Sequence, residues 1–171
     1  HLGRPNGKIV PKLTLKPIAK KISDYLDKEV FFLEEGVGSK AIEVSKNIFN
    51  GEILLLENLR FNKAEELNSA SFAKELSKIG DIYINEAFSC SHRKHTSVCE
   101  ITKYIPSYAG KQLLEEINVL KMLTDKAKKP VTCIIGGSKI STKTGILINL
   151  IKKMQSIIIV GAMANTFLKQ K

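Results

Sequence analysis

Five short apolar runs, at residues 29–33, 53–56, 81–85, 131–135 and 156–160, punctuate a chain whose remaining length is largely helical in period. Nothing else in the 171 residues constrains the fold as strongly. A strand with one wet face alternates apolar and polar residues, whereas these runs are nearly continuous. They therefore belong to a sheet covered on both sides, and strands alternating with helices make that sheet parallel. The expected fold class is α/β, a parallel β-sheet with helices on both faces in Rossmann-like three-layer lobes.

The spacing divides the chain. Residues 1–106 hold three of the runs and read as one nearly complete lobe. Gly36-Val37-Gly38-Ser39 opens a helix to about Asn47, a further helix is expected from about Ala64 to Lys78, and Gly80 is placed as its cap. Residues 107–125 carry Leu113, Leu114, Ile117, Leu120 and Leu123 at helical spacing and read as a long connecting helix starting near Ser107. Residues 126–171 open with a linker ending at Pro130, followed by a strand, a helix from about Thr142 to Lys153 and another strand. This is the start of a second α/β lobe with too few strands to close a sheet. The chain opens on His1 inside what reads as a motif, so a missing front is expected.

Composition narrows the function classes. Hydrophobic residues at 43% can build a core, and no apolar run reaches bilayer length, so a membrane is not an expected partner. The net charge of +10 admits nucleic acid or small anions. However, the lysines are spread over helix faces (Lys16, Lys20, Lys21; Lys121, Lys126, Lys128, Lys129), with no basic tail and no aromatic interleaving. That is a solvated surface, and no nucleic-acid partner is expected. Cys90, Cys99 and Cys133 form no Cys-x-x-Cys pair; with no secretion signal they fit a reducing cytoplasm, Cys133 being expected in a buried strand.

Against 27 basic residues there are only three arginines, Arg4, Arg60 and Arg93, and the three histidines accompany them: His1 beside Arg4, His92 and His95 around Arg93. Arginine is the residue lysine cannot replace where a planar fork grips a carboxylate or phosphate. Arg60 and Arg93 each follow an apolar run, and open parallel sheets bind ligands at the carboxyl ends of their strands. The joint expectation is a pocket for a small phosphorylated anion, the alternative being structural ion pairs with Glu57 or Glu86. His92 and His95 lack an evident third ligand, so no metal site is expected here. A second anion site is expected where residues 131–135 run into Gly136-Gly137-Ser138-Lys139-Ile140-Ser141-Thr142-Lys143. Glycines at a strand-to-helix turn let backbone N–H groups approach phosphate, and Lys139 and Lys143 fall on one side once helical. Gly161 repeats that logic after the next strand.

In content, order and spacing these segments resemble phosphoglycerate kinase: His1-Leu2-Gly3-Arg4-Pro5, Leu56-Glu57-Asn58-Leu59-Arg60-Phe61, Asn85-Glu86-Ala87-Phe88 with His92-Arg93-Lys94-His95, Gly136-Gly137-Ser138-Lys139 with Lys143, and Gly161-Ala162-Met163-Ala164 with Thr166-Phe167. The resemblance spans the chain. It implies a bilobal kinase, monomeric when complete, whose first lobe takes 3-phosphoglycerate or 1,3-bisphosphoglycerate and whose second takes ADP or ATP with Mg²⁺. By position it implies substrate holders at His1, Arg4, Arg60 and Arg93, with His92 and His95 in the same basic patch. Lys139 is implied beside the transferring phosphoryl group, with Arg93 as its catalytic counterpart in the first lobe. Gly137, Ser138, Lys143 and Gly161 are implied at the nucleotide. The chain departs from the family pattern at Glu86, Ser89, Glu100, Thr142, Val160 and Ala162. The family's Asp-x-Asn segment and one catalytic arginine are expected before His1, and its magnesium-binding aspartate beyond Lys171. A non-catalytic remnant and a basic nucleic-acid binder are the rival readings.

Overall fold

The structure, a computed structural model, describes residues 1–125, 128–137 and 143–169. It separates into two compact units, His1–Leu113 and Leu114–Lys171.

In the first unit, α1 (Lys16–Leu26) starts at a proline in its first turn, where the missing N–H costs nothing, and ends at Asp27 in the left-handed region (φ 50°). It packs on β1 (Val30–Leu33), which pairs in parallel with β2 (Ile53–Leu56) through α2 (Ser39–Lys46). The register matches Val30 with Ile53 and Leu33 with Leu56. The single helix expected over 64–78 is instead two, α3 (Lys63–Glu66) and α4 (Ala70–Leu76), followed by a 3₁₀ turn at Ser77–Ile79. Asn68 breaks it with φ 52°, and Ser69 caps the second helix by accepting from the Phe72 N–H. The break lets Asn68 and Ser69 bond residues 96–100: Thr96 Oγ1 accepts from the Ser69 N–H at 2.8 Å, and Asn68 Oδ1 accepts from the Glu100 N–H at 3.2 Å. Gly80 ends the turn in extended rather than left-handed conformation.

A second departure lies at 107–110. The connecting helix does not start near Ser107. Residues Ser107–Ala109 form β4, parallel to β3 (Tyr83–Asn85), and α5 covers Lys111–Asp125. The Gly110 N–H donates to Asn85 O and holds the chain in ladder geometry until the helix begins. β2 and β3 pair with β1 and β4 respectively and not with each other.

In the second unit β5 (Thr132–Gly136) and β6 (Ser156–Val160) pair in parallel across α6 (Thr144–Ile151), and α7 (Ala162–Lys169) follows. Leu147 and Met163 are its buried apolar residues among those described. Cys133 is half-buried rather than buried. The parallel pairings and intervening helices make the chain α/β.

Candidate functional site

At the carboxyl end of β2 the chain turns sharply, and Glu57 and Asn58 are buried in that turn. The Glu57 carboxylate accepts from Thr14 Oγ1 (2.5 Å), the Leu15 N–H (2.8 Å) and the Asn58 N–H (2.6 Å). The Asn58 amide donates to Leu2 O at 2.8 Å and Leu13 O at 3.0 Å, and its oxygen accepts from the Arg60 N–H. Two side chains thus fix residues 2–15 against the end of a core strand. In the sequence Glu57 stands out only as a possible ion-pair partner and Asn58 has no assigned role. Consecutive Glu-Asn directly after an apolar strand was the available signal, because such polar groups become buried only with partners.

Arg60 is the product of that turn. It is 2% exposed, and one guanidinium nitrogen donates to Gly3 O at 3.0 Å. Its nearest carboxylate is Glu66, at 3.6 Å from Nε, and not Glu57 or Glu86. Nε and Nη2 are buried with no hydrogen-bond partner. A buried cation with two unsatisfied donors is costly unless an anion completes it.

The other basic residues are set differently. His1 Nδ1 lies 3.8 Å from Cys90 Sγ, which brings the first residue to the loop carrying His92 and Arg93. That loop is built of successive tight turns, with the Cys90 N–H donating to Ala87 O and the Arg93 N–H to Cys90 O. The Arg93 side chain is half-buried and has no hydrogen-bond or ion-pair partner among the described residues; Arg4 and His92 are exposed. His95 turns the other way. Its Nδ1 is 3.9 Å from buried Glu65, whose carboxylate also accepts from the Ser97 N–H and hydroxyl. Burial, and secondarily the Glu65 charge, push the Tyr83 hydroxyl above its ordinary pKa. The structure therefore links His1 to the 88–93 loop, Leu2 to Asn58 and Gly3 to Arg60. His95 is drawn toward an internal carboxylate.

A cleft of about 850 Å³ opens where β1 and β2 end. Its walls include Gly36, Lys40, Glu57, Asn58 and Lys63 but none of the arginines or histidines. The cleft and the arginines thus lie in different places.

In the second unit the strand-to-helix turn after β5 holds Gly136 and Gly137, and Lys143 Nζ donates to Gly136 O at 2.5 Å. A Cβ on Gly137, whose φ is 149°, would lie 2.7 Å from that ammonium. The bare backbone therefore admits the lysine. α6 begins at Thr144, so Lys143 stands just before the helix and not within it. Gly161, at φ 66°, opens α7 with nothing within 4 Å of where a Cβ would be. Ser138, Lys139 and Thr142 lie outside the described residues. At Gly136 a Cβ would come within 2.9 Å of Val160 Cγ2. The described residues gather no set of three acidic, imidazole or thiol groups fit to hold a metal ion, and none of their helices is long and apolar enough to cross a membrane.

The family model described as phosphoglycerate kinase matches residues 1–171. The chain is 49% identical over 168 residues to a phosphoglycerate kinase of Bartonella bacilliformis, covering 98% of this chain and 42% of that protein. It is 48% identical over 171 residues to one from Orientia tsutsugamushi, again 42% of the relative's length. Among solved structures, phosphoglycerate kinase from Coxiella burnetii aligns with 99% of this chain at a TM-score of 0.79 and 36% identity, covering 42% of that chain. The Pyrococcus horikoshii enzyme aligns with 91% of this chain at a TM-score of 0.83 and 28% identity, covering 41% of that chain. The chain thus spans less than half the length of these relatives.

Proposed function

This chain belongs to the phosphoglycerate kinase family, and from that premise we propose that the complete protein transfers a phosphoryl group reversibly between 1,3-bisphosphoglycerate and ADP. In the forward direction the bond between phosphorus and the acyl oxygen breaks as one forms to the terminal oxygen of ADP. A carboxylate leaves, and the products are 3-phosphoglycerate and ATP. Such a reaction asks the protein for in-line placement, exclusion of water and compensation of charge more than for covalent help.

The observation that carries the reading is Arg60, a buried guanidinium with Nε and Nη2 unsatisfied. A phosphate oxygen is the acceptor those donors need. Arg60, Arg93, Arg4 and His1 hold the non-transferring phosphate of the glycerate, with His92 contributing positive potential. His95 acts at longer range, because Glu65 already faces it. Lys139 follows the phosphoryl group in flight, with Arg93 as its partner on the glycerate side. Lys143, Gly137, Ser138 and Gly161 cradle the nucleotide phosphates. The lobe boundaries 1–106, 107–125 and 126–171 assign the middle segment as the hinge. Magnesium, which the family uses with its nucleotide, finds no ligand cluster among the described residues, and no step here runs through it. The compartment that fits this role and the free cysteines is the cytoplasm.

The test is a coupled assay of the complete protein. Turnover that depends on both 3-phosphoglycerate and ATP is expected, together with a thermal midpoint raised by 3-phosphoglycerate. Absence of turnover, with the fold intact, would support the non-catalytic remnant instead.

A further inference from the structure

Glu86 follows β3 directly and is the first residue of the loop that carries His92 and Arg93. Its Oε2 accepts from the Leu113 N–H at 3.1 Å, one of the amides in the first turn of α5 that no helical carbonyl can satisfy. The residue just before the helix is Gly110, which has no side chain to do this. A Cβ there would lie 1.9 Å from Glu86 Oε1 and 2.1 Å from its carboxyl carbon. The glutamate therefore occupies the place of a local cap, from a residue 27 positions away in sequence. The surrounding bonds make this a junction. Asn85 O accepts from the Gly110 N–H, Asn85 Oδ1 accepts from the Ala87 N–H at 2.8 Å, and Ala87 O accepts from the Cys90 N–H. Cys90 O then accepts from the Arg93 N–H.

We propose that Glu86 is a positioning residue, fastening the first turn of α5 to the base of the loop that presents Arg93, so that helix direction and arginine placement change together. α5 is also the stretch of chain that leads from one compact unit into the other. The inference rests on the functional reading above, in which Arg93 holds the glycerate and this helix serves closure. Glu86 is otherwise exposed, so its removal leaves no cavity and its variants are expected to fold.

Two variants of the complete protein separate a link from a mere cap. Glu86→Ala removes both. Adding Gly110→Ser to it restores a local cap in the space the carboxylate vacates, but not the tie to the loop. The expected result is a kcat about 10-fold lower in both variants, with the KM for nucleotide unchanged and the thermal midpoint recovered only in the double variant. Recovery of kcat with the midpoint, or a kcat for Glu86→Ala within about 2-fold of the parent, overturns the proposal. Amide exchange without ligand decides the matter even if the parent protein shows no turnover, an outcome that would count against the functional reading alone. Exchange over residues 87–93 must be faster in Glu86→Ala and stay fast in the double variant; slow exchange there in either variant overturns the link.

Discussion

The strand ends that carry Arg60 and Lys143 hold their cations by different means. In the first unit, the turn after β2 is held by buried side chains: Glu57 and Asn58 accept or donate six hydrogen bonds between them and leave Arg60 in one place. In the second unit, the contact described at the end of β5 is the Lys143 ammonium donating to the Gly136 carbonyl. A guanidinium fixed in a protein interior is preorganised, and under the proposed function Nε and Nη2 of Arg60 would donate to a phosphate in one geometry. An ammonium on a flexible stem over bare glycine adapts to a ligand, but contributes less before it arrives. Under the proposed function the first would serve selectivity and the second accommodation.

Arg60→Ala should break that contrast most severely. It deletes the charge and fork together, and binding of 3-phosphoglycerate to the complete protein should weaken about 100-fold by titration calorimetry. Arg60→Lys should recover little, because an ammonium cannot satisfy the same two directions. A lysine variant binding within about 3-fold of the parent would show that charge alone matters here.

Asn58→Ala tests the scaffold and not the ligand. Leu2 O and Leu13 O would each lose a donor in a part-buried setting, at a cost of about 2–4 kcal/mol in urea unfolding. Glycerate affinity should fall with it, since Gly3 O orients Arg60, while nucleotide affinity stays unchanged. Equal losses in both affinities would mean that the two turns are not independent.

These residues also show what the sequence could and could not disclose. The apolar runs at 53–56 and 156–160 match β2 and β6 residue for residue, and β1 and β5 differ by a single position. Strands of a parallel pair are written as short β-branched and apolar runs even where, as in β6 and most of β5, every second residue is exposed. β4 was missed because Ser107–Ala109 is too short and too polar to stand out, and its strand character comes from Tyr83 and Asn85 alongside it. The break at Asn68 depends on partners about 30 positions away, at Thr96 and Glu100, so no local propensity encodes it. The arginines were legible as a group through their rarity. Which of them is buried was not, since the partners of Arg60 are a backbone carbonyl and Glu66. Glu100, a departure from the family pattern, turned out to be a hub for Asn68, Lys103 and Tyr104.

The second turn gives a milder test. Gly137→Ala places a Cβ 2.7 Å from Lys143 Nζ at a φ that side chains rarely adopt. The lysine tip can move aside, so the backbone strain dominates, and ADP binding should weaken about 10-fold with glycerate binding unaffected. No change in ADP affinity would remove Gly136–Gly137 from the nucleotide site and leave the accommodating turn without a ligand.

The smallest effect belongs to the Glu100 hub, which stabilises the first unit away from either turn. Hydrogen bonding from Lys103, followed by that ammonium's charge after the opposing effect of desolvation, holds the Glu100 carboxyl below its ordinary pKa of 4.5. A depressed carboxylate contributes stability that is fully present above 4.5 and fades as pH falls through its folded value. Lys103, raised above 10.5 chiefly by the same hydrogen bond, contributes below 10.5 and loses that contribution as pH rises through its own folded value. The pair is therefore neutral to pH across the range between. Because the Lys103 side chain is 63% exposed, solvent screens the interaction and keeps its effect modest. Glu100→Gln should lower the urea midpoint slightly at pH 7, and the gap from the parent should close toward pH 3. A gap that stays constant across that range would assign the role of Glu100 to packing and neutral hydrogen bonds rather than to its charge, and the unit's stability near Arg60 would then owe nothing to ion pairing at this position.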